Sequence, residues 1–148
     1  MSVSWFPVAV HALALLSTSE DGYSSAYIAS SVNTHSVFLR RVLAKLVKNG
    51  LLGTKEGGGG GYRLLKPANQ LTLSEVYKSL EGNSFISVSP AEPNEGCPVG
   101  SGIRPAFQEV IDDVDNLVLR KLENTTIADV AERAIAHGRH RKATEPTS

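Results

Sequence analysis

The chain has 148 residues, 41% of them hydrophobic, and its 15 basic and 15 acidic residues cancel to a formal net charge of zero. This length suffices for one buried core. Because the net charge is zero, the overall charge gives no information about the binding partners. No apolar run reaches the roughly 20 residues that cross a bilayer, and the N-terminal run lacks the basic segment of a signal peptide. The single cysteine cannot form an intrachain disulfide. We therefore expect a cytoplasmic protein that makes no contact with membranes.

Residues 5–32 predict two helices separated by a turn. Residues 5–17 are apolar at nearly every position, which predicts a helix that is covered on two sides. An Asp-Gly pair within 17–23 indicates a turn. Either Ser24 or Ser25 is a suitable cap for a short second helix over 26–32, because a serine hydroxyl accepts from the first backbone amides of a helix.

The next stretch, 36–49, predicts an amphipathic helix that ends at the Asn-Gly pair 49–50. One face is apolar and comprises Leu39, Val42, Leu43 and Leu46, whereas the opposite face carries Val37, Arg41, Ala44 and Lys48. A turn of three residues, 33–35, joins this basic helix to the helix before it. Two helices joined in this way predict a helix-turn-helix, although many helical hairpins share the pattern.

A β-hairpin is predicted directly after the basic helix. Residues 51–55 and 62–66 are short strand candidates, and the five glycines at 57–61 are too flexible for a strand interior, so they form the tip. A helix-turn-helix followed by such a hairpin, or wing, predicts a mainly α fold with a small two-stranded β-wing (α+β). We expect a winged helix-turn-helix.

Positive charge is concentrated in this part of the chain. Residues 33–66 contain one acidic residue, Glu56, and seven basic ones: Arg40, Arg41, Lys45, Lys48, Lys55, Arg63 and Lys66. Such a cluster can neutralise phosphates and release their counterions. Basic residues are also common on solvated helix faces, so charge alone leaves both interpretations open. The helix and wing together favour DNA.

The winged domain is predicted to close at residue 82. A capping box of Thr72 and Glu75 starts one more helix, which ends at the Glu-Gly pair 81–82. The following segment, 83–102, is rich in proline, glycine and serine and predicts a flexible loop that holds Cys97.

The C-terminal part predicts a long helix over 103–122 and a terminal helix capped by Thr126. The long helix carries an apolar seam of Ile103, Phe107, Val110, Val114 and Leu117. Beyond a complete small domain, such a seam predicts a dimer interface with a second copy, the alternative being that the helix folds back on its own domain. Residues 103–138 thus comprise the dimerisation helix and the terminal helix, and we expect the polar tail 139–148 to be disordered.

Several segments together resemble the Rrf-two (Rrf2) family of bacterial winged-helix regulators, which includes iron–sulfur-cluster, nitric-oxide and cysteine-metabolism repressors. These segments are AVHALALL (9–16), YIASSVNT (27–34), LRRVLAKLVKNGLL (39–52), GGGYRL (59–64) and LTLSEVYKSLEG (71–82). The resemblance implies a homodimer, clasped through the long helix, whose two basic helices enter successive major grooves of a palindromic operator.

The chain departs from the family pattern in two places. Relatives with an iron–sulfur cluster use three cysteines in the loop before the long helix, where this chain has only Cys97. One thiolate cannot hold such a cluster without several further ligands, and Glu92 and Glu95 are the only other candidates in 83–102. We therefore expect no cofactor and no metal site. In the wing, Glu56 matches an arginine that cluster-holding relatives direct to the minor groove, and a carboxylate is repelled there.

We expect the DNA contacts to divide into two groups. Base edges or adjacent phosphates would be contacted by Ser36, Val37, Arg40 and Arg41, with Thr34 and His35 as further candidates. The DNA backbone would be held by Lys45, Lys48, Lys55, Arg63 and the wing glycines Gly58 and Gly59. The predicted function is a homodimeric sequence-specific transcriptional regulator, expected to be a repressor. The alternative is a winged-helix module that binds another protein without reading DNA.

The lone cysteine suggests a sensor. Cys97 precedes the long helix closely, and the positive end of a helix lowers the pKa of a nearby thiol. Its oxidation, or modification by an electrophile, would shift the dimer helix and release DNA. The alternative, to which we give equal weight, is that Cys97 has no function. A catalytic Cys97 requires a nearby base, and 83–102 contains no histidine, so we expect no enzyme.

Overall fold

The computed structural model describes residues 5–56, 60–80 and 91–146. Within these ranges the chain forms six helices and one hairpin of two strands. They are α1 (Trp5–Leu16), α2 (Ser25–Val32), α3 (Ser36–Lys48), β1 (Leu52–Lys55), β2 (Gly61–Leu64), α4 (Leu73–Ser79), α5 (Ile103–Glu123) and α6 (Ile127–Thr144). The predicted mainly α fold with a two-stranded wing is confirmed.

Helix α1 is the centre of the core. It packs against α2, α3, α4 and α6, which explains why its sequence is apolar on almost every side. Ala9 and Ala12 are completely buried and their small side chains allow neighbouring helices to approach closely, while Leu13 and Leu16 fill the space between them.

The helix-turn-helix consists of α2, a tight turn and α3. Of the two candidate caps, Ser24 is the one used: its hydroxyl accepts from the backbone N–H of Tyr27 at 3.1 Å. Asn33 ends α2 in the left-handed conformation, at φ 57°, which asparagine tolerates better than most residues. His35 precedes the first turn of α3 in an extended conformation. The predicted boundaries of both helices agree with the structure to within one residue.

The wing is an antiparallel pair in which Leu52 lies opposite Leu64 and Lys55 opposite Gly61. It is attached to the turn after α1, because the backbone groups of Tyr23 and Tyr62 exchange two hydrogen bonds of 3.1 and 2.9 Å. The strands are shorter than predicted. Residues 57–59 lie outside the described ranges, so the predicted glycine tip is described only at its C-terminal end, where Gly61 already belongs to β2.

The helices after the wing return to the same core. Thr72 caps α4 by accepting from the N–H of Glu75 at 3.2 Å, although the Glu75 carboxylate binds Lys66 and does not complete the predicted capping box. Ile127 at the start of α6 donates to Leu71 O at 2.8 Å, and its side chain is fully buried. The terminal helix is therefore part of the winged domain's core.

The prediction of a disordered tail over 139–148 is wrong for most of its length, because α6 continues to Thr144. A complete capping box of Thr126 and Asp129 starts this helix. Once a helix is nucleated and anchored, its propagation costs little, and an exposed Arg141–Glu145 ion pair of 3.0 Å lies in its last turn. Residues 147–148, and the predicted end of α4 at 81–82, lie outside the described residues.

Residues 91–102 contain turns and no helix or strand. This agrees with the predicted loop, while its first part, 83–90, lies outside the described residues and its flexibility stays a prediction. Within the described ranges, no helix combines the length and apolar character needed to cross a membrane.

Candidate nucleic-acid interface

Helix α3 has two contrasting faces. Leu39, Val42, Leu43 and Leu46 are completely buried, as the periodicity predicts. On the opposite side Val37, Arg41 and Lys48 are exposed, and Arg40 is exposed on the adjoining flank. The buried stripe holds the helix against α1 and α2, so the exposed side chains extend from a rigid support. This arrangement presents three cations and one apolar side chain on a single surface, which we call the α3 outer face.

The start of α3 adds backbone donors to this surface. Ser36 and His35 are exposed and Thr34 is half-buried. The His35 side chain makes no capping hydrogen bond, and the first turn contains no acidic residue. The first backbone N–H groups of a helix have no partner within the helix and favour an anion. The three residues predicted from sequence at this end therefore lie where a phosphate can approach.

Lys45 differs from the other predicted DNA contacts. It is half-buried, and its Nζ lies 4.9 Å from the centroid of the Trp5 ring. Trp5 in turn meets Phe38 edge-on, with 5.3 Å between ring centroids. Sequence reasoning did not assign Trp5 a part in this surface. The sequence did contain one indication of this contact, a tryptophan in the first turn of α1. Among aromatic side chains, tryptophan attracts cations most strongly.

The wing contributes two exposed cations, Lys55 and Arg63. Lys66, which belongs to the same basic segment, is neutralised because its Nζ lies 2.7 and 2.9 Å from the two carboxylate oxygens of Glu75. Glu56 is exposed beside Lys55 and reduces the positive charge of the wing. Gly58 and Gly59 lie outside the described residues.

Cys97 is an exposed free thiol in the turns that precede α5. Hydrogen bonds from the backbone N–H groups of Gly100 and, second, Val99 lower its pKa below the ordinary value. The sequence predicts a lowered pKa from the helix N-terminus, whereas in the structure these two amides are its main cause. Stabilising the thiolate in this way increases the reactivity of a cysteine near neutral pH.

The predicted dimer seam lies along α5. Ile103, Phe107, Val110 and Leu117 are between 39% and 60% exposed in the single chain. Ile111, on the edge of the same apolar stripe, is only 2% exposed, and α5 packs against α4. One edge of α5 therefore folds onto its own domain, as the alternative interpretation predicts, while most of the seam faces outward, and its pairing with a second copy stays a prediction. Val114, the remaining residue of the seam, is half-buried.

The chain is similar in sequence and in fold to proteins described as transcriptional regulators. The family described as "Rrf2: Iron-dependent Transcriptional regulator" matches residues 4–133. The chain belongs to the Rrf2 family. The Rrf2 relative YwnA of Bacillus subtilis is 35% identical over 123 residues, which span 83% of this chain and 91% of YwnA.

Solved structures of other proteins have the same fold. A Lactobacillus plantarum structure has a TM-score of 0.75 at 23% identity, with 96% of this chain and 99% of that chain covered, which shows the fold. The structure of Staphylococcus aureus CymR has a TM-score of 0.65 at 25% identity and covers 87% of this chain and 96% of CymR. CymR has also been solved in an oxidised form.

The Rrf2 description names iron, and the residues of this chain do not fit an iron–sulfur cluster. The whole sequence contains one cysteine, whereas the family resemblance associates the cluster with three. Among the described residues, no three histidine, cysteine, aspartate or glutamate side chains gather where they could hold a metal. A single thiolate leaves most coordination positions of a cluster without a ligand. The residues of this chain therefore do not match the ligand pattern of relatives that hold a cluster.

Proposed function

We propose that this Rrf2-family protein is a homodimeric, sequence-specific DNA-binding repressor. The observation that carries the proposal is the α3 outer face, where Arg40, Arg41 and Lys48 are exposed away from a fully buried leucine and valine stripe. A rigid helix with cations on one side suits the major groove of DNA, which is wide enough to admit it.

The contacts would divide by chemistry. A guanidinium can donate two hydrogen bonds to guanine O6 and N7, so Arg40 and Arg41 are the base readers. Lys48 on α3 and Lys55 and Arg63 on the wing would bind phosphates, because an ammonium or an exposed guanidinium there gains mainly from charge. Lys45, held over Trp5, would contribute less to the DNA contact than its charge suggests.

A second copy of the chain would cover the α5 seam. Exposed apolar side chains at four and three residue spacings are typical of a helix that pairs with another helix. A two-fold dimer would present two copies of α3, and helix-turn-helix dimers bind half-sites about one helical turn, or roughly 34 Å, apart. A palindromic operator follows from this symmetry. Bound at a promoter, such a dimer would exclude RNA polymerase and act as a repressor.

DNA binding by purified protein tests the proposal. The Arg40→Ala/Arg41→Ala variant should bind a duplex selected from a random-sequence library at least about 100-fold more weakly than the parent, since each base contact contributes roughly 1–3 kcal/mol. The matched control is Arg133→Ala/Arg139→Ala, which removes the same charge from exposed positions on α6. Equal binding by parent and α3 variant would exclude α3 as the reader. Failure to select any sequence would favour a winged-helix module that binds a protein partner.

The repressor assignment needs a separate measurement. Transcription in vitro from a promoter that contains the selected site should fall as the protein is added, and the Arg40→Ala/Arg41→Ala variant should leave it unchanged. A rise in transcript on addition of the parent would show an activator.

We further propose that Cys97 makes DNA binding sensitive to oxidants. The supporting observations are its exposure and the two amides that lower its pKa, together with the likeness to CymR, which has been solved in an oxidised form. The thiolate would attack a peroxide oxygen, forming an S–O bond as the O–O bond breaks and hydroxide leaves, to give a sulfenic acid. Peroxide should weaken DNA binding by the parent and not by Cys97→Ser. If both lose DNA equally, the sensor lies elsewhere.

A further inference from the structure

One apolar side chain stands out on the α3 outer face. Val37 is 62% exposed, more than any other large hydrophobic side chain described on α1 to α4. It is the second residue of α3, in the turn that also carries the exposed Ser36. Valine is a poor choice for an exposed helix position, since its branched side chain loses rotamer freedom there without gaining burial.

The charged neighbours of Val37 limit what can cover it. Arg40 and Arg41 follow it by three and four residues, so all three side chains lie on adjoining parts of one helix surface. A purely apolar protein surface would have to bury these guanidinium groups without partners, at a high cost. A surface that offers both hydrogen-bond acceptors and a small apolar group within a few ångströms fits all three residues.

The major groove of DNA is such a surface. Guanine presents two acceptors to an arginine there, and the 5-methyl group of thymine is the apolar group exposed on the base edges. We infer that Val37 packs against the 5-methyl group of a thymine in each half-site of the operator. This inference rests on the proposed DNA-binding function and specifies one base that the protein selects.

The position of the thymine relative to the arginine contacts follows from the helix. Side chains three or four residues apart on a helix are about 5–6 Å apart, and base pairs are stacked at about 3.4 Å. The thymine should therefore lie within about two base pairs of a guanine read by Arg40 or Arg41.

The test changes one methyl group of the DNA and leaves the protein intact. A binding duplex is first selected from a random library with the wild-type protein, and each thymine of the site is then replaced in turn by deoxyuridine. In each half-site, one thymine should be sensitive to this loss of a methyl group. Changing it in one half-site should weaken binding about fourfold, and changing it in both should weaken binding about fifteenfold. Replacement of thymines outside the site should have no effect.

Protein variants assign the methyl contact to Val37. Val37→Ala should bind the thymine duplex about as weakly as the parent binds the deoxyuridine duplex, and the deoxyuridine change should cost it nothing further. Val99→Ala, which shortens a similarly exposed valine in the loop before α5, should keep the full discrimination. Circular dichroism verifies that each variant is folded.

The outcomes separate the inference from the proposed function. If the parent selects a site and no deoxyuridine replacement weakens binding, or if Val37→Ala still discriminates, the inference is wrong while DNA binding stands. If the parent selects no DNA sequence at all, the proposed function fails and the inference with it.

Discussion

The ammonium nitrogen of Lys45 lies 4.9 Å from the centroid of the Trp5 ring, which joins the C-terminal half of α3 to the first turn of α1. Trp5 makes a second contact with α3: its ring meets the ring of Phe38 edge-on, and the two planes are inclined at 80°. One indole therefore contacts α3 at two positions that are seven residues, or about two helical turns, apart. The contact helps to fix the orientation of α3 relative to the core, and it occupies a cation that the sequence assigns to DNA.

The first prediction concerns the energy of this pair. Trp5→Ala should lower the free energy of unfolding by roughly 2 kcal/mol, less than for a fully buried tryptophan because Trp5 is only half-buried. A double-mutant cycle of Trp5→Ala with Lys45→Ala in urea should give a coupling of about 0.5–1 kcal/mol. The control cycle of Trp5→Ala with Lys48→Ala should give no coupling. Equal coupling in both cycles would contradict the specific contact.

The second prediction compares two lysines of the same helix in DNA binding. Lys48 is exposed and Lys45 is half-buried over Trp5. Lys48→Ala should make the dependence of log affinity on log salt concentration less steep by about 0.9 for each protomer, since one phosphate contact is lost. Lys45→Ala should change this slope by less than half as much. Fluorescence anisotropy at several salt concentrations measures both slopes, and a larger change for Lys45→Ala would show that its ammonium moves to DNA.

The third prediction concerns the attachment of the wing. Gly22 has φ +79°, and a Cβ atom there would lie 2.0 Å from the Tyr62 carbonyl oxygen. Gly50 has nearly the same φ, +77°, with open space around it. Gly50→Ala should cost about 1–2 kcal/mol of stability from backbone strain alone. Gly22→Ala should cost about 1–3 kcal/mol more, because the wing must move away from residue 23. Thermal denaturation and DNA affinity check this, and equal losses in the two variants would refute the close approach.

Local sequence patterns were sufficient to predict six helices and the two strands of the wing, although not the full length of α6. The stripe of Leu39, Val42, Leu43 and Leu46 recurs with the period of a helix, and burial follows that period directly. The α3 outer face was predictable for the same reason, since it is the side opposite the stripe.

Contacts between distant residues were not predictable in this way. The pairs Lys45–Trp5 and Lys66–Glu75 each withdraw a cation from the basic segment, and nothing in the local spacing of either lysine indicates its partner. The helical tail was missed because its polar composition resembles that of disordered segments. Its order depends on the anchoring of Ile127 and Ala131 in the core upstream.

The fourth prediction tests the dimer. Val110 lies in the α5 seam and is 50% exposed in the single chain. Val110→Glu would bury an unpaired carboxylate in each half of the proposed interface, so the dimer dissociation constant should rise at least about 100-fold. Sedimentation equilibrium measures it. Val99→Glu, at a 69% exposed position outside the helix, should leave the dimer intact. A Val110→Glu protein that remains dimeric would move the interface away from α5.

The fifth prediction concerns the titration of Cys97. Because amides of Gly100 and Val99 stabilise its thiolate, the pKa in the folded protein lies below that in the unfolded chain. Iodoacetamide reacts with the thiolate, so its rate should reach half its maximum at a lower pH in the native protein than in urea or in a peptide of residues 94–102.

The sign of the linked stability follows from the same shift. A group whose pKa is lowered by folding stabilises the folded state above its unfolded pKa, and this stabilisation is lost as the pH falls through the folded pKa. The parent should therefore gain stability relative to Cys97→Ser as the pH rises through that window. If the native protein and the peptide share one alkylation midpoint, the amides do not hold the thiolate, and the proposed oxidant sensitivity loses its chemical basis.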